Sequence, residues 1–128
     1  MWPFRLKSEA KVDTHPLADL RTRIVGIQFR SAGARSAIAQ ANIGDELRIV
    51  REKTNRKDYN ALQVHIKKFY NARDEVRSFV GYIPREDAAK ISPFMDHNNI
   101  TVLRAMLSST YRGRHANDIE PSIIIQED

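Results

Sequence analysis

The stretch Leu47 to Ile66, LRIVREKTNRKDYNALQVHI, decides how this chain folds. Leu47 and Ile49 alternate with other residues, and so do Leu62, Val64 and Ile66. A period of two sets the apolar side chains of each segment on one face of a β-strand. Between them lies Thr54-Asn55-Arg56-Lys57-Asp58-Tyr59-Asn60. Asn55, Asp58 and Asn60 are turn formers whose short side chains bond their own backbone. The expected unit is strand, polar turn, strand, with the first strand ending near Glu52.

Working outward, Val25, Ile27 and Phe29 alternate after Arg23 and predict an earlier strand, the first of the fold. Ser36–Ala41 is alanine-rich and reads as a helix closed by the turn Asn42–Asp45. Downstream, the charged stretch Asn71–Arg77 reads as a loop and Ser78–Ile83 as a fourth strand. Pro84 suits the first position of a helix, where its missing N–H costs nothing. Glu86 and Asp87 then favour the positive end of the helix dipole. Ala88, Ile91 and Phe94 or Met95 share its buried face, and Pro93 either kinks this helix or starts a second. Ile100–Leu107 and Ser122–Ile125 supply the fifth and sixth strands, joined by the basic loop Tyr111-Arg112-Gly113-Arg114-His115. The fold class is mainly β: a small, partly open six-stranded barrel with two short helices, because six short strands are too few for two full sheets. Residues 1–22 carry Pro3 and Pro16 and read as an arm, with one helical turn around Leu17–Leu20, before a domain at 23–128. Trp2 and Phe4 in that arm either pack back on the domain or form a partner-binding tag.

Composition narrows the function. The chain has 128 residues, 41% hydrophobic and 29% charged, with mean hydropathy −0.52, net charge +5 and pI about 9.7. One domain with one core follows. A basic surface attracts polyanions, which leaves nucleic acid, an acidic protein or an anionic membrane surface open. With no cysteine, disulfides, thiolate nucleophiles and cysteine-rich zinc sites are excluded. No apolar run approaches the roughly 18 residues of a membrane span. The N-terminus lacks the apolar stretch of a secretory signal, so a cytoplasmic location is expected.

Catalytic motifs are mostly missing. Gly26, Gly33, Gly44, Gly81 and Gly113 are too scattered for a dinucleotide fingerprint, and none precedes a lysine as in a P-loop. His15, His65, His97 and His115 stand without the spacing that brings two imidazoles to one metal. Asp45-Glu46 and Glu86-Asp87 could hold magnesium for a nuclease, although a turn and a helix start explain them better. Neither cofactor nor metal is expected. The positive signal is the cluster Arg48, Arg51, Lys53, Arg56 and Lys57, offset by Glu52 and expected to line one rim of the barrel. Phe29 and Tyr82 stand at strand ends, and cations that hold phosphates beside aromatic faces that stack bases suit a single strand. A solvated charged face with core aromatics explains the same composition.

Four ordered segments carry a resemblance. They are Ile24-Val25-Gly26-Ile27-Gln28-Phe29; Leu47-Arg48-Ile49-Val50-Arg51-Glu52; Asn55-x-x-Asp58-x-Asn60-Ala61-Leu62-x-Val64; and Val80-Gly81-Tyr82-Ile83-Pro84-Arg85-Glu86-x-Ala88-Ala89. Over about residues 23–107 the chain resembles the HIRAN domains, which occur at the N-terminus of a fork-remodelling ATPase and as stand-alone bacterial proteins. It is similar to the stand-alone kind. The resemblance implies an oligonucleotide-binding-like barrel whose pocket receives the 3′ end of single-stranded DNA, in a DNA repair or replication context. Phe29 would then be a stacking wall, and Asp58 would accept a hydrogen bond from the terminal 3′-hydroxyl. Asn55 would shape the pocket and Arg85 would hold a phosphate. A carboxylate welcomes a hydroxyl proton and repels a 3′-phosphate, which gives Asp58 a purpose among cations.

The chain also departs from the family pattern. Asn55-Arg56-Lys57-Asp58 stands for Asn-Pro-Tyr-Asp, so Lys57 replaces a stacking aromatic; Gln28 takes an arginine position and Tyr82 a histidine position. The candidate binding set is Gln28, Phe29, Asn55, Arg56, Lys57, Asp58, Tyr82 and Arg85. The expected partner is single-stranded DNA, with RNA or a DNA-processing protein still open and no membrane. Two other classes remain: a protein-interaction barrel that recognises an acidic partner, and a metal-dependent nuclease.

Overall fold

Alternating apolar residues build the expected sheet. The computed structural model describes residues 15–110 and 120–126, and the statements that follow concern those residues. Six strands follow in order: β1 (Arg21–Arg23), β2 (Glu46–Arg51), β3 (Leu62–Ile66), β4 (Phe79–Tyr82), β5 (Val102–Leu107) and β6 (Ser122–Ile125). They form one antiparallel sheet in the order β1-β6-β5-β2-β3-β4, a mainly β half-barrel. In the central hairpin Ile49 lies opposite Val64 and Arg51 opposite Leu62. One face of the sheet carries Leu47, Ile49, Leu62, Val64, Leu103, Leu107, Ile123 and Ile125, all buried. Each such side chain contributes about 1.5–3 kcal/mol by leaving water. Ala88, Ile91 and Met95 close the core from the helix expected after Pro84.

Four helices accompany the sheet, not two: α1 (Ala32–Ala39), α2 (Lys67–Asn71), α3 (Glu75–Ser78) and α4 (Arg85–His97). Of the additional pair, α3 takes up the end of the Asn71–Arg77 stretch expected to be a loop, and α2 follows β3 directly and reaches that stretch only at Asn71. α2 and α3 have 5 and 4 residues, too few to show a helical period in the sequence. The signal of α3 is instead a cap, because the Asp74 carboxylate accepts the Arg77 N–H at 3.3 Å, whereas α2 follows its N-cap Ile66 without a side-chain cap. α1 begins before Ser36 because the Ser31 hydroxyl accepts the Ala34 N–H at 3.1 Å. Pro84 is the N-cap of α4 and not its first helical residue, its carbonyl accepting from Asp87 and Ala88 at 3.0 and 2.9 Å. α4 continues through Pro93 as one helix.

The first strand differs most from expectation. β1 ends at Arg23, and Val25 forms only an isolated bridge. Gly26 adopts φ 75°, a left-handed turn that a side chain disfavours, and Ile27–Phe29 then winds into a 3-10 turn. The alternation of Val25, Ile27 and Phe29 thus comes from three different settings: a bridge, a core position and an exposed turn. Residues ahead of Arg23 also join the sheet and core, since Leu17 is buried and Arg21 pairs with Ile124. Trp2, Phe4 and the basic loop at Tyr111–His115 lie outside the described residues.

Between Ile24 and Val25 the chain changes partners. Ile24 donates to the Pro121 carbonyl beside β6 at 2.9 Å, while Val25 exchanges two hydrogen bonds with Tyr82 of β4, at 2.8 and 2.9 Å. β1 and β4 are the opposite edges of the sheet. One residue step therefore joins the two edges and brings the Gly26–Phe29 turn to the end of β4.

Candidate nucleic-acid interface

The hairpin turn after β2 is built by its own polar side chains. The Asn55 carboxamide oxygen accepts the N–H groups of Lys57 and Asp58, at 2.9 and 3.0 Å. Asp58 Oδ1 in turn accepts the Asn60 N–H at 3.0 Å. These are the local bonds that asparagine and aspartate bring to turns. They hold Asp58 with a second oxygen, Oδ2, directed toward Arg85 Nε at 3.9 Å, longer than a hydrogen bond.

Arg85 opens α4 and reaches back to the turn, where its Nη2 donates to the Lys57 carbonyl at 3.0 Å. Its side chain is nonetheless 76% exposed, against 21% for Asp58. Tyr82 approaches from β4. Its hydroxyl donates to Glu52 Oε1 at 2.9 Å, and the same oxygen accepts from Asn55 Nδ2 at 3.1 Å. Burial first, and then the bond to Glu52, pushes the Tyr82 hydroxyl above the ordinary tyrosine range, so it remains a donor at neutral pH. Asn55, Asp58, Tyr82 and Arg85 therefore meet through bonds that cross from the turn to β4 and to α4.

The rest of the candidate set is placed less tightly. Phe29 stands 80% exposed at the end of the 3-10 turn, and Gln28 beside it is also exposed. Arg56 and Lys57 point cationic, exposed side chains outward from the turn. The five-cation rim does not form as expected, because strand alternation sends Arg48 and Arg51 to opposite faces of β2. Arg51 lies inside, bound to both oxygens of Asp96 at 2.9 and 3.0 Å and to the Tyr59 carbonyl at 2.7 Å. It organises the turn from beneath and offers nothing to a ligand. Lys53 lies 3.7 Å from the same carboxylate. The carboxylates weighed for metal have structural partners: Asp45 accepts the Asn42 N–H at 2.9 Å, and Asp87 accepts the Thr22 hydroxyl at 2.6 Å.

Two contributors escaped sequence reasoning. Glu52 was legible only as an offset to neighbouring cations, yet its carboxylate ties Tyr82 to Asn55. Arg30 lays its guanidinium 3.8 Å from the centre of the Phe79 ring. Neither had a local pattern that could have revealed it, since the contacts with Tyr82 and Phe79 join residues distant in sequence.

Comparison with known proteins agrees with this architecture. The crystal structure of the HIRAN domain of human HLTF superimposes with a TM-score of 0.56, covering 85% of this chain and 75% of that one at 16% identity. At that identity the likeness concerns the fold. No curated protein matches the chain. The HIRAN domain family matches residues 17–127. Because that match takes in all six strands and all four helices, the chain belongs to the HIRAN domain family of nucleic-acid-binding modules.

Proposed function

We propose that the rim formed by the β2–β3 turn, the end of β4 and the start of α4 binds single-stranded DNA at its 3′-hydroxyl end. The protein acts as a binding module and not as an enzyme, in a cytoplasmic setting of DNA repair or replication.

The observation that carries this reading is the state of Asp58. One of its oxygens is committed to the Asn60 N–H, and among the described residues the other has only the 3.9 Å approach of Arg85. A carboxylate held in this way accepts a terminal hydroxyl and repels a terminal phosphate. Arg85, mostly exposed beside it, suits the phosphate that links the last two nucleotides. The exposed ring of Phe29 offers a stacking face, worth about 1–3 kcal/mol per base in single-strand binding. Lys57 and Arg56 add charge where the family carries an aromatic and a proline.

Binding of the same single strand with a 3′-hydroxyl, a 3′-phosphate or a blocked 3′ end, at two salt concentrations, tests the reading. A 3′-hydroxyl preference of roughly tenfold, about 1.4 kcal/mol, is expected. Equal affinities for the three ends would refute end recognition, and salt-insensitive or absent binding would refute nucleic-acid binding altogether.

A further inference from the structure

Beyond the rim, the open face of the sheet holds a concavity of about 630 Å³ between β2–β4 and the α2–α3 pair. It is lined by Val50, Gln63, His65, Tyr70, Asn71 and Phe79, with the exposed Arg73 and Glu75 carrying opposite charges. A train of rings connects it to the rim. Tyr82 meets Phe79 edge-on at 5.2 Å, Phe79 stacks on His65 at 5.2 Å, and His65 tilts against Tyr70 at 5.0 Å. The His65 ring is a fixed wall: Nε2 lies 2.8 Å from Gln63 Oε1 and Nδ1 lies 3.1 Å from the Ser78 hydroxyl.

Arg30 stands where the rim passes into this concavity. Its guanidinium covers Phe79, which lines the concavity and touches Tyr82. Arg30 has no carboxylate within 4.0 Å among the described residues, and its Nε is buried without a hydrogen-bond partner. Arg30 as a whole is half-buried, and a phosphate oxygen is the acceptor that the accessible part of a guanidinium matches best. The cation–π contact with Phe79 already restrains the group, so less order is lost when a phosphate binds.

We infer that Arg30 takes a backbone phosphate upstream of the 3′ end and guides the preceding base into the Tyr70–His65–Phe79 concavity, giving the site a second base position. The inference rests on the proposed binding of single strands. The ligand is the same strand, continued, for three reasons: the ring train runs directly from Tyr82, the unpaired cation favours a polyanion, and the concavity offers both apolar walls and polar groups. A base finds stacking faces there together with the Gln63 and Asn71 side chains.

Affinities for a 3′-hydroxyl dinucleotide and an octanucleotide, measured with the wild-type chain and with Arg30→Gln, test this. The wild type should bind the octanucleotide roughly tenfold more tightly, a gain of the size expected for one further base stack and one phosphate. Arg30→Gln should lose most of that gain and keep its preference for a 3′-hydroxyl over a 3′-phosphate. A full gain in Arg30→Gln, or no gain in the wild type, would overturn the inference and leave end recognition standing. Absence of binding by any oligonucleotide would remove both. A second measurement needs no variant: 2-aminopurine scanned along the bases upstream of the terminal one should be quenched at one position by the rings. Tyr70→Ala should relieve that quenching. Unchanged fluorescence at every position on binding would also overturn the inference.

Discussion

Val25 and Tyr82 exchange both of their backbone hydrogen bonds, at 2.8 and 2.9 Å, although they belong to opposite margins of the sheet. This single bridge carries the Gly26–Phe29 turn to the end of β4, beside the residue whose hydroxyl reaches Glu52. It also explains why β4 has glycine next to the tyrosine. A Cβ on Gly81 would lie 2.5 Å from Ile24 Cγ2 and 2.6 Å from the Val25 carbonyl oxygen.

Gly81→Ala should therefore force the 24–25 segment away from β4. Overpacking of this kind costs about 1–3 kcal/mol, and urea denaturation should register it as a lower midpoint with little change in slope. Single-strand affinity should fall with it, because Phe29 follows the displaced segment. Wild-type stability in this variant would mean that the close approach is unimportant.

Asp58→Asn separates charge from turn structure. The carboxamide oxygen still accepts the Asn60 N–H, so stability should change by less than about 0.5 kcal/mol. Loss of the negative charge should raise affinity for 3′-phosphate ends and cut the 3′-hydroxyl preference roughly tenfold. Competition between the two kinds of end gives the ratio directly.

Arg85→Gln should weaken binding to every single strand and lower the slope of log affinity against log salt by about 0.7. Arg51→Met should do the reverse. It breaks a pair whose arginine side chain is 1% exposed and leaves the Tyr59 carbonyl without its donor, at a cost of about 3 kcal/mol in stability. Its salt slope, measured below the unfolding transition, should stay at the wild-type value.

Acid should destabilise the fold through His65. Burial first, and the nearby Arg30 charge second, lower its pKa from 6.5 to about 4 in the folded chain. As pH falls below 6.5, the unfolded chain takes up a proton that the folded chain refuses until about pH 4. Stability is thus highest above that interval and declines across it, by about 3 kcal/mol at most. Asp96 adds to the decline at lower pH, because its hydrogen bond with Arg51 holds the carboxyl below its ordinary range. That stabilisation is present above the unfolded carboxyl pKa and lost as pH falls through the folded one. Urea midpoints measured from neutral pH down to pH 4 should fall steadily, and His65→Gln should flatten the upper part of the curve.

By itself, the sequence determined the parts whose cause is local. Alternation from Leu47 to Ile66 specifies the β2–β3 hairpin, because one face of each strand must leave water. Asn55, Asp58 and Asn60 specify the turn through bonds to their own backbone. Pro84 with Glu86 and Asp87 marks the start of α4, and so places Arg85 at its first turn. Tertiary structure alone decided the rest. Val25 leaves its run to pair with a distant strand, so the alternation that predicted a strand through Phe29 had no neighbouring ladder to complete it. Alternation in phase with Leu47 and Ile49 turns Arg51 to the inner face of β2, and the position of Asp96 on α4 then makes it a buried tie. Glu52 and Arg30 gain their meaning from Tyr82 and Phe79, both far along the chain. Periodicity and turn chemistry act over a few residues; which side chain faces which across a folded sheet depends on how its edges come together.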